Sequence, residues 1–167
     1  LAIARLRQMA QLVESLLFLA RMDARAMLED AEPINFMELV EDVCELFSIQ
    51  AEEDGIALTV EGGGQCVLRG EPSLLRRMFG NVLENALRHT DKGGAITVAL
   101  TEGDGACTIT VTDTGEGMPA DAVPHAFDRF FRTDAARSRT SGAAGIGLSI
   151  VKRVAELHGG SVTLTSE

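Results

Sequence analysis

The stretch from Ala95 to Val111 constrains the fold more than any other. Ala95 to Leu100 and Ala106 to Val111 alternate apolar with polar positions and are rich in β-branched residues, with Glu102-Gly103-Asp104-Gly105 between them. Period-two alternation puts every second side chain on one face, and a short glycine-rich joint lets the chain double back, so the segment predicts an antiparallel hairpin with one apolar side. Such a side must be covered by other elements of the chain.

The covering elements are legible as helices. Met37 to Glu53 spaces Leu39, Val40, Val43, Leu46, Phe47 and Ile49 helically before Asp54-Gly55 ends the run. Pro72 suits the first turn of a helix that continues to about His89, and Gly145 to Leu157 recovers helical spacing through Leu148, Val151, Val154 and Leu157. Ile56 to Val60, Cys66 to Arg69 and Ser161 to Thr165 read as further short strands. Mixed in this order, the elements predict an α+β fold. We expect a two-layer α/β sandwich with a mixed, mostly antiparallel sheet and helices on one face.

Ahead of this domain, Ala4 to Leu28 lacks Gly and Pro and places Leu6, Met9, Val13, Leu16 and Ala20 at alternating three- and four-residue steps. That is the seam spacing of a coiled coil, and it fits either a bundle or dimer helix or an ordinary packed helix. Glu29 to Pro33, three acids and a proline, predicts a linker. The expected division is an N-terminal helix at 1–29, a linker at 30–35 and the domain at 36–167.

Composition excludes several classes of function. The 167 residues suffice for one globular domain with an appended element, and no apolar run approaches the roughly 20 residues that span a bilayer. A net charge of -10 repels a phosphate backbone, so no nucleic-acid partner is expected and any anion site must be local. Cys44, Cys66 and Cys107 are far apart and form no Cys-x-x-Cys pair, which predicts buried core thiols rather than disulfides or a zinc site.

Three short elements carry chemistry. At about 100° per residue, Asn81, Asn85 and Arg88 share one narrow stripe of the Pro72–His89 helix, opposite Leu75, Phe79, Val82, Leu83 and Ala86. An Asn carbonyl is a hard oxygen suited to Mg²⁺, and Arg88 and His89 have the reach and charge for phosphates; taken alone, the stripe reads better as a solvated helix face. The second element, Asp113-Thr114-Gly115-Glu116-Gly117-Met118, follows a strand directly. Its carboxylate can accept from an exocyclic amine, and its glycines let the backbone approach a flat ligand. The third is Gly142, Gly145 and Gly147 with Leu148 at a helix start, where freed backbone N–H groups suit an anion.

In this order and at these separations the three elements resemble the N, G1 and G2 boxes of the GHKL superfamily of ATPases and kinases. The resemblance implies ATP and Mg²⁺ as ligands, with Asn81 and Asn85 in the N box, Asn85 on the metal, and Arg88, His89 and Lys92 at the rim. It implies Asp113 on the adenine amine, with Gly115, Gly117 and Met118 beside the base, and Gly142, Gly145, Ile146, Gly147 and Leu148 around the phosphates. Ala126-Phe127-Asp128-Arg129-Phe130-Phe131-Arg132 is similar to the F box of sensor histidine kinases, which adds Phe130 and Arg132 to the nucleotide-binding set. Hydrolytic members such as DNA gyrase and the heat-shock chaperones carry a water-activating Glu four residues before the metal Asn, where this chain has Asn81. Leu12 to Asp23 resembles the second helix of the kinase dimerisation and phosphoacceptor hairpin.

A sensor histidine kinase of the two-component kind is therefore expected: a cytoplasmic catalytic domain of an inner-membrane sensor. It would transfer the ATP γ-phosphoryl group to a histidine for relay to a response regulator. Glu84, Asn85 and Arg88 are the expected catalytic residues, Glu84 orienting or deprotonating the imidazole. The expected partners are the response regulator, the parent's own phosphoacceptor helix and a second protomer joined through the N-terminal helix. The resemblance places the acceptor histidine before Leu1 and one more strand after Glu167, and makes His89, His125 and His158 rim, lid and cap, so self-phosphorylation of this stretch is not expected. Ala143 stands where these kinases commonly have Gly, which leaves a second reading open: a nucleotide-sensing module of the same fold without catalysis.

Overall fold

The computed structural model describes residues 2–62, 66–103, 105–133 and 145–166. The chain divides into two compact units, one of residues 28–117 and the other of residues 1–27 with 118–167.

The central unit holds the sheet. Its elements are β1 (Glu32–Asn35), α2 (Phe36–Asp54), β2 (Ala57–Glu61), β3 (Val67–Gly70), α3 (Pro72–His89), β4 (Ala95–Gly103) and β5 (Ala106–Asp113), numbered after α1 (Ala2–Ala24) of the other unit. β4 and β5 form the expected antiparallel hairpin, with Val98 opposite Val111 and Leu100 opposite Ile109. β2 joins β4 in parallel, giving the order β2-β4-β5, while β1 and β3 pair antiparallel as a separate two-stranded sheet. The hairpin's alternation has the predicted effect. Ile96, Val98 and Leu100 are buried, and Cys107, Ile109 and Val111 pack against the same core. Val40 and Val43 of α2, with Leu75, Phe79, Leu83 and Ala86 of α3, complete that core. Each large apolar side chain buried here contributes about 1.5–3 kcal/mol, so the helix faces are fixed by the sheet they cover.

Several boundaries differ from expectation, each for a physical reason. Residues 32–35 of the expected linker are strand β1: Pro33, which lacks an N–H, is accommodated because a two-stranded ladder leaves one side of each strand unpaired. The entry to this strand is held by Glu71, a buried carboxylate that accepts from the backbone N–H of Glu29 at 2.8 Å and of Asp30 at 3.4 Å. Cys66 and Cys107 are not free thiols but a disulfide, with Cα atoms 6.0 Å apart; separation along the chain had concealed that β3 and β5 bring them together. Cys44 remains a buried thiol. Leu46 and Ile49 were expected in the core and are exposed, because at about 100° per residue they stand roughly 120° and 180° round the helix from buried Val40.

In the second unit α1 ends at Ala24, four residues before the expected Leu28, and packs against α4 (Gly147–Leu157). Among its described side chains Leu19 and Met22 are buried, whereas seam positions Leu6, Met9 and Val13 are 65%, 65% and 52% exposed. A short 3-10 turn, Val123–His125, interrupts the segment between the units' regular elements. Ser161 to Thr165, expected as a strand, pairs with no strand among the described residues; alternation sets which side faces inward, but a strand also needs a ladder partner. Among the described residues no helix is long and apolar enough to cross a membrane.

Candidate functional site

Within residues 28–117 the predicted site residues lie mainly on α3 and in the turn after β5. α3 starts with Pro72 at its first turn, where a missing N–H costs nothing, and ends as Thr90 Oγ1 donates to the Ala86 carbonyl at 2.8 Å. Its apolar side is committed to the core, which leaves the amide stripe facing outward. Asn81 donates through Nδ2 to the Arg77 carbonyl at 2.7 Å, one turn back along α3. Asn85 is half-buried, and among the described residues its side-chain amide has no hydrogen-bond partner. Arg88 pairs with Glu84 across one turn, Nη2 to Oε1 at 2.5 Å.

The turn after β5 is locked to the end of α3 and to the start of β4. Asp113 accepts from the Gly115 N–H at 2.9 Å through Oδ1 alone. Thr114 Oγ1 accepts from the Ala95 N–H at 2.9 Å, and the Thr114 N–H donates to the Ala95 carbonyl at 3.1 Å. Glu116 meets His89 Nδ1 at 3.1 Å, and its N–H donates to the His89 carbonyl at 3.3 Å. Gly115 is required by this closeness, since a Cβ there would collide with the His89 carbonyl oxygen and stand 2.7 Å from Asp113 Oδ1. The structure thus brings His89, Asp113, Gly115 and Glu116 together at the exit of α3. Glu116 and Thr114 were not foreseen as fasteners of the turn; their side chains within hydrogen-bond reach of α3 and β4 were the missing signal. Lys92 lies with its stem against Gly55 at the end of α2, within 3.0 Å of where a Cβ would stand.

The second unit carries the remaining predicted residues. Gly147 is the first residue of α4, and Ile146 before it makes no side-chain cap, so the first-turn N–H groups are available to an anion. Gly145 holds φ +68, and its carbonyl accepts from the Phe130 N–H at 2.7 Å. A Cβ on Gly145 would sit 2.7 Å from the Phe131 carbonyl oxygen, so only glycine fits. Phe130 itself is exposed at φ +64, a left-handed conformation that L side chains rarely adopt. Ile146 is buried, Leu148 and Arg132 are half-buried, and the Met118 N–H donates to Ser166 Oγ at 2.7 Å. Gly117 lies in the first unit's turn at φ +68. Gly142 and Ala143 lie outside the described residues.

These donor sets fit ATP and Mg²⁺. Asn85 offers a hard amide oxygen not engaged by any described residue, Asp113 keeps Oδ2 uncommitted by the Gly115 bond, and α4 begins without a side-chain cap. Among the described residues there is no cluster of three His, Cys, Asp or Glu that would form an all-protein metal cage. Mg²⁺ does not need one, because it takes one or two protein ligands beside phosphates and water.

Comparison with known proteins bears on the same residues. Residues 70–167 match the family described as histidine kinase-, DNA gyrase B-, and HSP90-like ATPase. Sensor histidine kinase CusS of Escherichia coli strain K12 is 36% identical over 162 residues, covering 97% of this chain and 34% of CusS. Sensor histidine kinase RppB of Synechocystis is 35% identical over 161 residues, covering 96% of this chain and 36% of RppB. The chain therefore spans about a third of these relatives. Among solved structures, full-length ShkA in complex with AMPPNP is 29% identical with a TM-score of 0.76, over 89% of this chain and 31% of ShkA. The fold alone is shared with Acinetobacter baumannii histidine kinase AdeS, TM-score 0.79 at 15% identity over 99% of this chain and 75% of AdeS. With that family's model matched from Gly70, at the end of β3, to the end, and with sensor histidine kinases aligned along almost all of its length, this chain belongs to the histidine kinase-, DNA gyrase B- and HSP90-like ATPase family.

Proposed function

We propose that the chain is the ATP-binding catalytic part of a sensor histidine kinase, and that Asn85 with Asp113 carries nucleotide recognition. The observation that supports this most directly is the half-buried Asn85 amide on α3, unengaged among the described residues, in a helix whose other side is core. In the reaction, an imidazole nitrogen of the parent's acceptor histidine forms a bond to the γ-phosphorus, the bond from that phosphorus to the bridging oxygen breaks, ADP leaves and the imidazole loses a proton. Bound Mg²⁺ supplies charge neutralisation to the phosphate oxygens.

The chain's own residues bind, orient and neutralise. Asn85 presents its amide oxygen to the metal, and Asn81 is steadied by its bond to Arg77. Asp113 accepts from the adenine amine while the Gly115 N–H fixes its carboxylate. In the other unit the uncapped start of α4, Gly145 to Leu148, offers N–H groups to phosphate oxygens. Arg88 and Arg132 supply positive charge to the transferred group. Glu84 orients the acceptor imidazole and takes its proton. Asn81 stands where the hydrolytic members of the family carry their water-activating Glu, which favours transfer over hydrolysis.

The same reading extends to the parent protein. Its response regulator receives the phosphoryl group, its second protomer packs on the exposed seam of Leu6, Met9 and Val13, and it is a sensor of the inner membrane with this chain on the cytoplasmic side. The seam supports the dimer because an exposed apolar stripe of this spacing is stabilised by a second helix. Transfer from labelled ATP to an acceptor helix of the parent, supplied in trans, tests the function. Labelled phosphohistidine is the expected product, and nucleotide binding without transfer would overturn the kinase reading.

A further inference from the structure

The bond between Cys66 and Cys107 has no part in the nucleotide-binding reading, yet it joins two pieces of the central unit that no ladder joins. Among the described residues the β1–β3 ribbon and the β2-β4-β5 sheet are separate. Cys66 stands directly before β3 and Cys107 near the start of β5, 41 residues on, with α3 and β4 between them. The ribbon in turn holds the entry to the domain. The Cys66 carbonyl accepts from the Phe36 N–H at 2.8 Å, where α2 begins, and Glu71, directly after β3, accepts from the N–H groups of Glu29 and Asp30. A clasp on β3 is therefore a clasp on residues 29–36 as well.

The bond is reachable, and the fold around it does not depend on it. β1 and β3 pair from Glu32–Gly70 to Asn35–Val67, β4 and β5 from Ile96–Asp113 to Gly103–Ala106, and the core beneath them is apolar, so each piece is held by its own ladder and packing. The two sulfurs differ in access. Cys66 is 2% exposed, whereas Cys107 is partly exposed on β5, the edge strand of its sheet among the described residues. The reading of the chain as a cytoplasmic catalytic part, on which this argument rests for the compartment, puts the bond where thiols are kept reduced and disulfides are usually transient.

We infer that Cys66 and Cys107 form a reversible thiol–disulfide site whose reaction partner is a thiol reductant or its disulfide, and that its state sets how firmly the β1–β3 ribbon is held to the β4–β5 hairpin. In the reducing direction a thiolate of the reductant attacks the Cys107 sulfur; a mixed disulfide forms, the Cys66–Cys107 bond breaks, and Cys66 leaves with the bonding pair and takes a proton. A second thiolate attacks the reductant's sulfur in that mixed disulfide and releases Cys107, which is protonated in the same way. The chain gains two electrons and two protons, and two reductant thiols become one disulfide. Oxidation by the reductant's disulfide is the reverse.

The test equilibrates the 167-residue chain in glutathione buffers from fully reduced to fully oxidised, traps thiols by alkylation and reads each cysteine by peptide mass spectrometry. A single reversible transition between two thiols and the Cys66–Cys107 bond is expected within that range. A bond that persists in every buffer makes it a fixed crosslink and overturns the inference, as do free thiols in every buffer. Hydrogen exchange then compares the two states: in the reduced chain the amides of 32–35 and 67–70 should exchange about tenfold faster or more, while those of 95–100 keep their rates. Equal ribbon exchange in both states overturns the coupling. Cys107→Ser should show the fast ribbon in every buffer and Cys44→Ala should switch like the wild type; a redox response that survives Cys107→Ser, or is lost in Cys44→Ala, overturns the assignment, and the wild-type comparison decides alone if a variant fails to fold. Neither readout uses nucleotide, so failure of the kinase reading appears in ATP-analogue titration and failure of this inference in trapping and exchange.

Discussion

Arg153 of α4 closes the end of α1 by donating through Nη2 to the Arg25 carbonyl at 2.7 Å. The same guanidinium reaches the Met22 carbonyl at 3.0 Å from Nη2 and 3.1 Å from Nε, while Asp23 accepts from Arg129 at 2.6 Å. A helix leaves its last carbonyls without intrahelical donors. One planar fork supplies several donors at once, which a lysine cannot copy. Arg153→Lys and Arg153→Ala should therefore both destabilise the chain, by about 1.5–3 kcal/mol, with Arg153→Lys close to the alanine variant. Thermal denaturation of the three proteins checks this, and wild-type stability in Arg153→Lys would show that charge alone holds the junction.

Glu71 offers a second test of a buried polar contact. Its carboxylate accepts from two backbone N–H groups, at Glu29 and Asp30. Glu71→Ala removes both acceptors and should cost about 2 kcal/mol or more, whereas Glu71→Gln keeps one acceptor oxygen and should fall between. Chemical denaturation with unchanged m-values would separate this loss from a change in the unfolded state.

Gly115→Ala should displace the turn after β5 and abolish nucleotide binding while leaving most of the fold in place, because the new Cβ has no room beside the His89 carbonyl and Asp113. Gly103→Ala is the matched control, since a Cβ there meets nothing within 4 Å. Circular dichroism and nucleotide titration of the pair distinguish a local clash from general loss of structure.

The pH dependence of stability should show one alkaline signature. Burial, and secondarily Glu41, pushes the Cys44 thiol up from 9.0 to about 11. The folded state then holds its proton after the unfolded chain has released one, so this contribution is present below pH 9 and is lost as pH rises toward 11. Cys44→Ala should remove that part of the alkaline slope in denaturation curves taken between those limits. An identical slope in the variant would place the effect elsewhere.

Periodicity made the helices and the hairpin legible before any coordinates, and it failed where tertiary partners decide. Pro72–His89 and the β4–β5 pairing are set by local pattern, and the observed α3 has those same limits. The strand at Glu32–Asn35 was hidden by its proline and acids, because its strand character comes from β3 rather than from its own residues. Leu46 and Ile49 were counted as core because they are apolar, although their angular positions already point away from Val40. In the site, residue types marked Asn85 and Asp113, but the fasteners Thr114 and Glu116 become visible only when α3, β4 and β5 are placed side by side.

Calorimetric titration of the chain with a non-hydrolysable ATP analogue, with and without Mg²⁺, tests the central claim most directly. The account predicts one-to-one binding that is lost in Asp113→Ala and that loses its Mg²⁺ dependence in Asn85→Ala, with both variants folded by circular dichroism. Absence of binding by the wild-type chain, or binding unaltered by both substitutions, would contradict it.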